Sequence, residues 1–179
     1  MKWQTKSFEQ LSTTELFEIY KLRTAVFVVE QDCPYQEVDD KDLISYHHFA
    51  KKQQNLTAYC RIFLQEDGVH IGRVLVAIEA RGSGLARELM QTAIAYAKQT
   101  WPQHTIYIQA QSHLARFYQS LGFSAISDVY LEDNIPHLDM ALTHKQIVCM
   151  ESIDDGQSLL PYSHHFIIEC GVLCISSNR

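Results

Sequence analysis

Residues 74–90, VLVAIEARGSGLARELM, decide how this chain is read. A β-branched apolar run breaks at Glu79 and Ala80, and an arginine and two closely spaced glycines follow. Apolar residues then recur at helical spacing, with Leu85, Ala86, Leu89, Met90, Ala93, Ile94 and Ala97 on one side and Arg87, Glu88, Gln91 and Lys98 opposite. The pattern predicts a strand, a tight turn and a helix N-terminus. There the first helical amides lack acceptors and the dipole end is positive, which suits an anion, most naturally a pyrophosphate. Two phosphate loops do not fit. A Walker loop needs Lys and then Ser or Thr after its last glycine, but Leu85 and Ala86 follow Gly84. A dinucleotide fingerprint needs a third small residue where Arg87 stands. The two glycines serve equally well as the plain architecture of a tight strand-to-helix turn.

Upstream, Ser12 and Glu15 read as a capping box for a helix carrying Leu16, Ile19, Tyr20 and Phe27, with Arg23 among them. The segment EQDCPYQEVDDKD (residues 30–42) contains Pro34 and many carboxylates, and predicts a loop or short broken helix. HHFAKK, LTAYCRIFLQ and HIGRVLVAIE predict three antiparallel strands separated by turn residues. Downstream, Trp101 and Pro102 end the long helix, and residues 104–110 alternate as a strand. Leu114, Phe117, Tyr118 and Leu121 form a second amphipathic helix closed by Gly122. FSAISDVYLE and PHLDMALTH predict a final pair of strands. The fold class expected is α+β, built around one mixed, mostly antiparallel sheet.

The chain has 179 residues, 46% of them hydrophobic and 20% charged, which matches one globular domain with a real core. A formal charge of −6 excludes a broad phosphate-neutralising surface, so nucleic acid is not an expected partner. No apolar run has the length of a membrane span, and MKWQTKSFEQ lacks the apolar stretch of a secretory signal. Five cysteines without a framework fit a reducing compartment. A cytoplasmic protein, not bound to a membrane, is therefore expected.

RGSGLARELM resembles the Arg/Gln-x-x-Gly-x-Gly/Ala signature of the GCN5-related N-acetyltransferases, the GNAT superfamily, through Arg81, Gly84 and Ala86. ARFYQSLGF resembles that superfamily's second signature, one helix and one strand further on. VFVVEQDCPYQEVDDKD, AYCRIF, IGRV, AQSHLARFY and YLEDNIPHLDM together resemble the ElaA-like subfamily, over about residues 3–143. The resemblance implies a GNAT fold: a twisted, mostly antiparallel sheet flanked by helices. It also implies acetyl-coenzyme A as co-substrate, no metal, and an amine of a small molecule or peptide as acceptor. By position, Val74, Leu75 and Val76 inherit the pantetheine arm, while Arg81, Gly82, Ser83, Gly84, Leu85 and Ala86 inherit the pyrophosphate. Gln111 stands where many relatives carry a cofactor-touching Asn. Tyr118 stands where the family places the acid that protonates the departing sulfur. Its place on an apolar stripe also suits a core tyrosine.

A proton acceptor for the amine has several candidates: Glu30, Asp39, Asp42, His47, His48, Glu79 and His137, of which Glu30 and His137 are selected. The acids of residues 30–42 suit a cationic amine, and equally suit a solvated loop. A rival chemistry draws Cys33 with His47 and His48, or His164 and His165 with Cys170 and Cys174, as metal ligands, or Cys33 as a nucleophile. None has the paired cysteine spacing of a structural zinc site. A third reading is a module that binds coenzyme A without catalysis. The domain is expected over residues 1–145. Residues 146–179 form an extension whose FIIECGVLCI stretch has the character of a covered or pairing strand, and a homodimer is one way to cover it.

Overall fold

In the computed structural model, which describes residues 1–143, the chain opens with a strand that the sequence did not announce, β1 (Lys2–Ser7). Its side chains are half-exposed along its length, so it lacks an in–out alternation to read. Helix α1 (Thr13–Arg23) starts at the expected capping box. The Glu15 amide donates to Ser12 Oγ at 3.2 Å, and the Ser12 amide donates to Glu15 Oε2 at 2.9 Å. The helix then widens into π-helical turns over Thr24–Glu30, which bury Val26 and Phe27. A loop and the short helix α2 (Lys41–Ile44) follow.

The three predicted antiparallel strands are β2 (Tyr46–Lys52), β3 (Asn55–Gln65) and β4 (Gly68–Val76). Helix α3 (Leu85–Thr100) crosses to β5 (Ile106–Gln111), which runs parallel to β4. A 3-10 turn leads into α4 (Ala115–Gln119). Of the final pair, FSAISDVYLE is two short strands, β6 (Ser124–Ala125) and β7 (Tyr130–Glu132), both lying on β8 (Ile135–Leu142). They separate because the Asp139 amide donates to Ser127 Oγ and the Ile126 amide donates to the Asp139 carbonyl, both at 2.9 Å. The sheet runs β1-β2-β3-β4-β5-β8-β6, antiparallel except at β4–β5.

Each face of the sheet has its own core. The stripe read from the sequence, Leu85, Leu89, Met90, Ala93, Ile94 and Ala97, is buried by α3 against Ile62, Ile71, Val74, Val76 and Ile108. Burial of each large side chain here contributes about 1.5–3 kcal/mol. The opposite face packs α1 and its π-helical continuation through Ile19, Val26 and Phe27 onto Phe49, Tyr59 and Leu75.

That second face also holds an ionic network where a solvated acidic loop was one expectation. Arg23, Arg61 and Arg73 are all at most 2% exposed. Arg23 meets Glu37 Oε1 at 2.8 Å and Asp42 Oδ1 at 2.6 Å. Arg61 meets Asp42 Oδ1 at 3.0 Å and Asp39 Oδ2 at 2.8 Å, and Arg73 Nε meets Glu37 Oε1 at 2.8 Å. Glu37, Asp39 and Asp42 are therefore spent on the network, while Asp32 and Asp40 face solvent. Removing one partner from such a network costs about 3–5 kcal/mol, because the remaining charge is stranded in a medium that cannot solvate it.

Strand β4 carries one residue more than its partner requires. Tyr59 pairs with Leu75 and Arg61 with Gly72, so β4 advances by three residues while β3 advances by two. Arg73 occupies the bulge with φ +52, a left-handed conformation unusual for a residue with a Cβ. Without the extra residue, alternation would aim Arg73 into the apolar core beneath α3; with it, Arg73 joins Arg61 on the ionic face.

Two consecutive histidines on β2 point to opposite faces, and each is buried and fully bonded. His47 accepts from the Tyr59 hydroxyl at 2.8 Å and donates to the Asp42 carbonyl at 3.0 Å. His48 accepts from Thr5 Oγ1 at 2.7 Å, donates to Thr92 Oγ1 at 2.9 Å and stacks on Trp3 at 5.1 Å. Burial pushes the His48 imidazole down to about 4. An unfolded histidine titrates near 6.5, so between these values the unfolded chain holds the extra proton. The stabilisation is complete above about pH 6.5 and is lost as pH falls toward 4. Denaturant unfolding is therefore expected to show lower stability at about pH 5 than at about pH 7, with a smaller drop in His48→Gln. An equal drop in that variant would remove His48 as a source of the pH dependence.

Candidate active site: a cradle, a slot and a buried imidazole

The ladder between β4 and β5 is short. Val69 pairs with Ile106 and His70 with Tyr107, and no further pair forms. Beyond His70 the strands part, β5 staying on β8 as far as Gln111, opposite His137. The β5-facing edge of β4 past this point carries Val74, Leu75 and Val76, so its peptide groups have no ladder partner there. The bulge at Arg73 lies on this parted stretch, three residues past His70.

This edge leads into the glycine turn. Gly82 and Gly84 have φ of +74 and +83, and Gly84 is the N-cap of α3. A side chain is disfavoured at both by conformation, and the space above both is open, with no heavy atom within 4 Å of where a Cβ would stand. The first intrahelical bonds run from the amides of Arg87 and Glu88 to Gly84 O, at 3.0 and 3.2 Å. The amides of Leu85 and Ala86 thus have no intrahelical acceptor, at the positive end of a long helix. A cavity of about 230 Å³ lies over the turn, lined by Val76, Arg81, Gly82, Gly84, Ala86 and Phe117. Open space, outward amides and left-handed glycines fit the diphosphate of a coenzyme A thioester. Ser83 turns its hydroxyl to the Ala80 carbonyl at 2.7 Å, leaving the backbone as what it offers.

Arg81 and Glu30 are placed differently from expectation. The Arg81 guanidinium grips both Glu30 oxygens, at 2.7 and 2.8 Å, and donates from Nε to the Val76 carbonyl at 3.0 Å. Its charge is already matched, so what the turn offers an anion is chiefly backbone amides. A carboxylate held by both oxygens is a poor proton acceptor, which argues against Glu30 as base. A cation not read from the sequence, Arg87, stands at the rim, bonded to Ser120 Oγ at 2.8 Å and lying over Phe117.

The other candidate bases separate clearly. Burial alone would raise the Asp39 and Asp42 carboxyls, but Arg61 for the first and Arg23 for the second, with further arginines, hold both below the usual range. His47 and His48 are committed to the bonds described above. Glu79 is exposed on a 3-10 turn and lines another cavity, of about 410 Å³, with Phe17, Lys21 and Leu56. His137 is fully buried on β8, and its Nδ1 lies 2.8 Å from the Ile135 carbonyl. A carbonyl only accepts, so the proton sits on Nδ1 and Nε2 presents its lone pair. Among the described residues no hydrogen-bond partner reaches Nε2.

Sequence reading missed the neighbours of His137. Tyr130 stacks on its ring at 6.3 Å, donates to Asp139 Oδ1 at 2.8 Å and accepts from Gln109 at 3.0 Å. Burial, then Asp139, raise the Tyr130 phenol well above its usual value. Gln109, Gln111, His137 and Asp139 alternate with apolar residues along β5 and β8, so their shared face was legible while their pairing across strands was not.

Tyr118 is buried, edge-on to Phe117 at 5.1 Å and Phe123 at 6.0 Å. Burial, with a contribution from Cys60, raises its phenol well above the ordinary value. It is therefore protonated at neutral pH, the state from which a general acid starts.

The surroundings of Cys33 lend the thiol reading no support. Burial, with Asp133 and Asp32, pushes the Cys33 thiol up, the opposite of an activated thiolate. His47 and His48 face away from each other, and among the described residues no three candidate ligands gather to hold a metal ion. His164, His165, Cys170, Cys174 and the extension from residue 146 lie outside the described residues. No helix among the described residues is long and apolar enough to cross a membrane.

Comparison with known proteins agrees with this geometry. Residues 9–144 match the acetyltransferase (GNAT) domain family. Protein ElaA of Escherichia coli (strain K12) is 41% identical over 146 residues, covering 79% of this chain and 95% of that protein. The crystal structure of Escherichia coli ElaA superposes with a TM-score of 0.76 at 42% identity, over 79% of this chain and 99% of that one. An acyl-CoA N-acyltransferase from Pseudomonas aeruginosa does so with a TM-score of 0.76 at 43% identity, over 78% of this chain and 97% of that one. With its divergent strands, its glycine-capped helix and these relatives, the chain belongs to the GNAT acetyltransferase family, among the relatives of ElaA.

Proposed function

We propose that the chain is an N-acetyltransferase that moves an acetyl group from acetyl-coenzyme A to a primary amine. The observation that carries this reading is the parting of β4 from β5 after His70, with the unpaired edge of β4 leading directly into the Gly82–Gly84 turn. When bound, the donor supplies a thioester activated toward direct attack by an amine.

The chain's own groups have separable tasks. The amides of Leu85 and Ala86 hold the diphosphate, and the backbone of Val74, Leu75 and Val76 holds the pantetheine arm. An amide on that edge stabilises negative charge growing on the carbonyl oxygen, a contribution worth roughly 3–4 kcal/mol where such donors have been removed. His137 Nε2 takes the proton that the acceptor's ammonium must lose before its nitrogen can attack. Tyr118 gives a proton to the departing sulfur, so that coenzyme A leaves as the thiol, and its phenolate takes up the proton that the attacking nitrogen sheds as the amide forms. Gln111, opposite His137 in the register, keeps an amide for the donor.

The direct test is release of coenzyme A from acetyl-coenzyme A in the presence of polyamines, aminoglycosides, amino acids or peptide N-termini. Amine-dependent release with acetylated amine as product is expected; donor binding without release for any acceptor would favour a binding module.

Tyr118→Phe separates catalysis from packing, because it keeps the ring and removes only the hydroxyl. A fall in turnover of roughly a hundredfold to ten-thousandfold, with donor affinity and Tm nearly unchanged, is expected for general acid catalysis. Turnover within about twofold of the parent would remove Tyr118 from the mechanism.

A further inference from the structure

We propose that Glu37, in the loop before α2, is a positioning residue for the donor slot, acting through Arg73 to hold the bulge that keeps β4 parted from β5. The inference rests on the slot being the donor site.

Arg73 is the only residue of β4 with a left-handed backbone and a side chain, and it lies on the unpaired stretch of β4, three residues past the last β4–β5 pair at His70. A non-glycine residue in that region costs about 1–2 kcal/mol, so something must hold it. Glu37 does so from two atoms. Its Oε1 accepts from Arg73 Nε at 2.8 Å, and its carbonyl accepts from Arg73 Nη2 at 2.9 Å. Asp39 adds a bond at 3.3 Å, and the Tyr35 ring lies under the guanidinium at 5.5 Å. Every one of these groups comes from residues 35–39, on the far side of the sheet from α3.

The competing state is an unbulged β4. It would turn Arg73 toward the apolar face and let β4 continue its ladder along β5, closing the slot. The Glu37 carboxylate disfavours that state because the guanidinium would leave three hydrogen-bonded partners for a hydrocarbon core. A residue that never touches the donor thus sets how much of the protein is competent to bind it.

The test is the Kd of coenzyme A, measured by calorimetry on the full chain. Glu37→Ala is expected to weaken binding by about five- to thirty-fold, the range that corresponds to 1–2 kcal/mol of released strain. Two double variants keep the network's charge balanced, leaving Arg23 and Arg61 against Asp39 and Asp42. In Glu37→Ala with Arg73→Gly, glycine adopts the left-handed bulge without strain, and affinity is expected within about twofold of the parent. In Glu37→Ala with Arg73→Ala the strain remains without its clamp, and binding is expected to stay weak. These two differ by one methyl group and decide the matter even where the single variant does not fold. Equal affinities in the two double variants, or parent-like affinity in Glu37→Ala, would overturn the role of Glu37 alone. A parent that binds no coenzyme A would overturn the donor-slot reading and the role of Glu37 together.

Discussion

One extra residue in β4 organises the molecule. Because β4 takes three steps where β3 takes two, the strand carries a bulge at Arg73, within the stretch that follows its last pair with β5 at His70. A sheet that satisfied every peptide group internally would have no slot. This one leaves an edge unpaired near its middle rather than at its rim, with a covered core on both faces. The strain is local, and the groups that hold it are buried charges that have no better place to be.

The buried network explains why the acidic loop is not simply a surface feature. Three guanidiniums and three carboxylates balance, and they tie α1, β3 and β4 to residues 37–42. On the same face of the sheet, further along, His137, Tyr130 and Asp139 form a polar patch on β7 and β8. A second tie, Arg81 to Glu30, joins the glycine turn to the end of the π-helical segment. The glycine turn and the ionic network are thus both anchored to the helical segment that begins as α1 and ends at Glu30.

Much of the fold was legible because its signals are local. The stripe of α3, the capping box of α1 and the positive-φ glycines are each set by residues within a few positions of one another. The edge strand β1 was not legible, since its half-exposed side chains mimic a polar terminus, and neither was the break between β6 and β7, which a hydrogen bond from β8 imposes. In the site, Gly82, Gly84 and the burial of Tyr118 followed from spacing. The partners of Arg81, Glu30 and Asp39 did not, because an ion pair between residues fifty apart leaves no periodic trace, and a run of acids looks the same whether it faces water or three arginines. Arg73 is the clearest case: an arginine in an apolar strand has no one-sequence signature for a bulge.

The central claim is that the parted strands receive the donor. A crystal structure of the full chain with coenzyme A tests it most directly. The pantetheine arm is expected between β4 and β5, hydrogen-bonded to the edge at Val74, Leu75 and Val76, with the diphosphate on the amides of Leu85 and Ala86. Coenzyme A bound elsewhere, with β4 and β5 parted and empty, would contradict it.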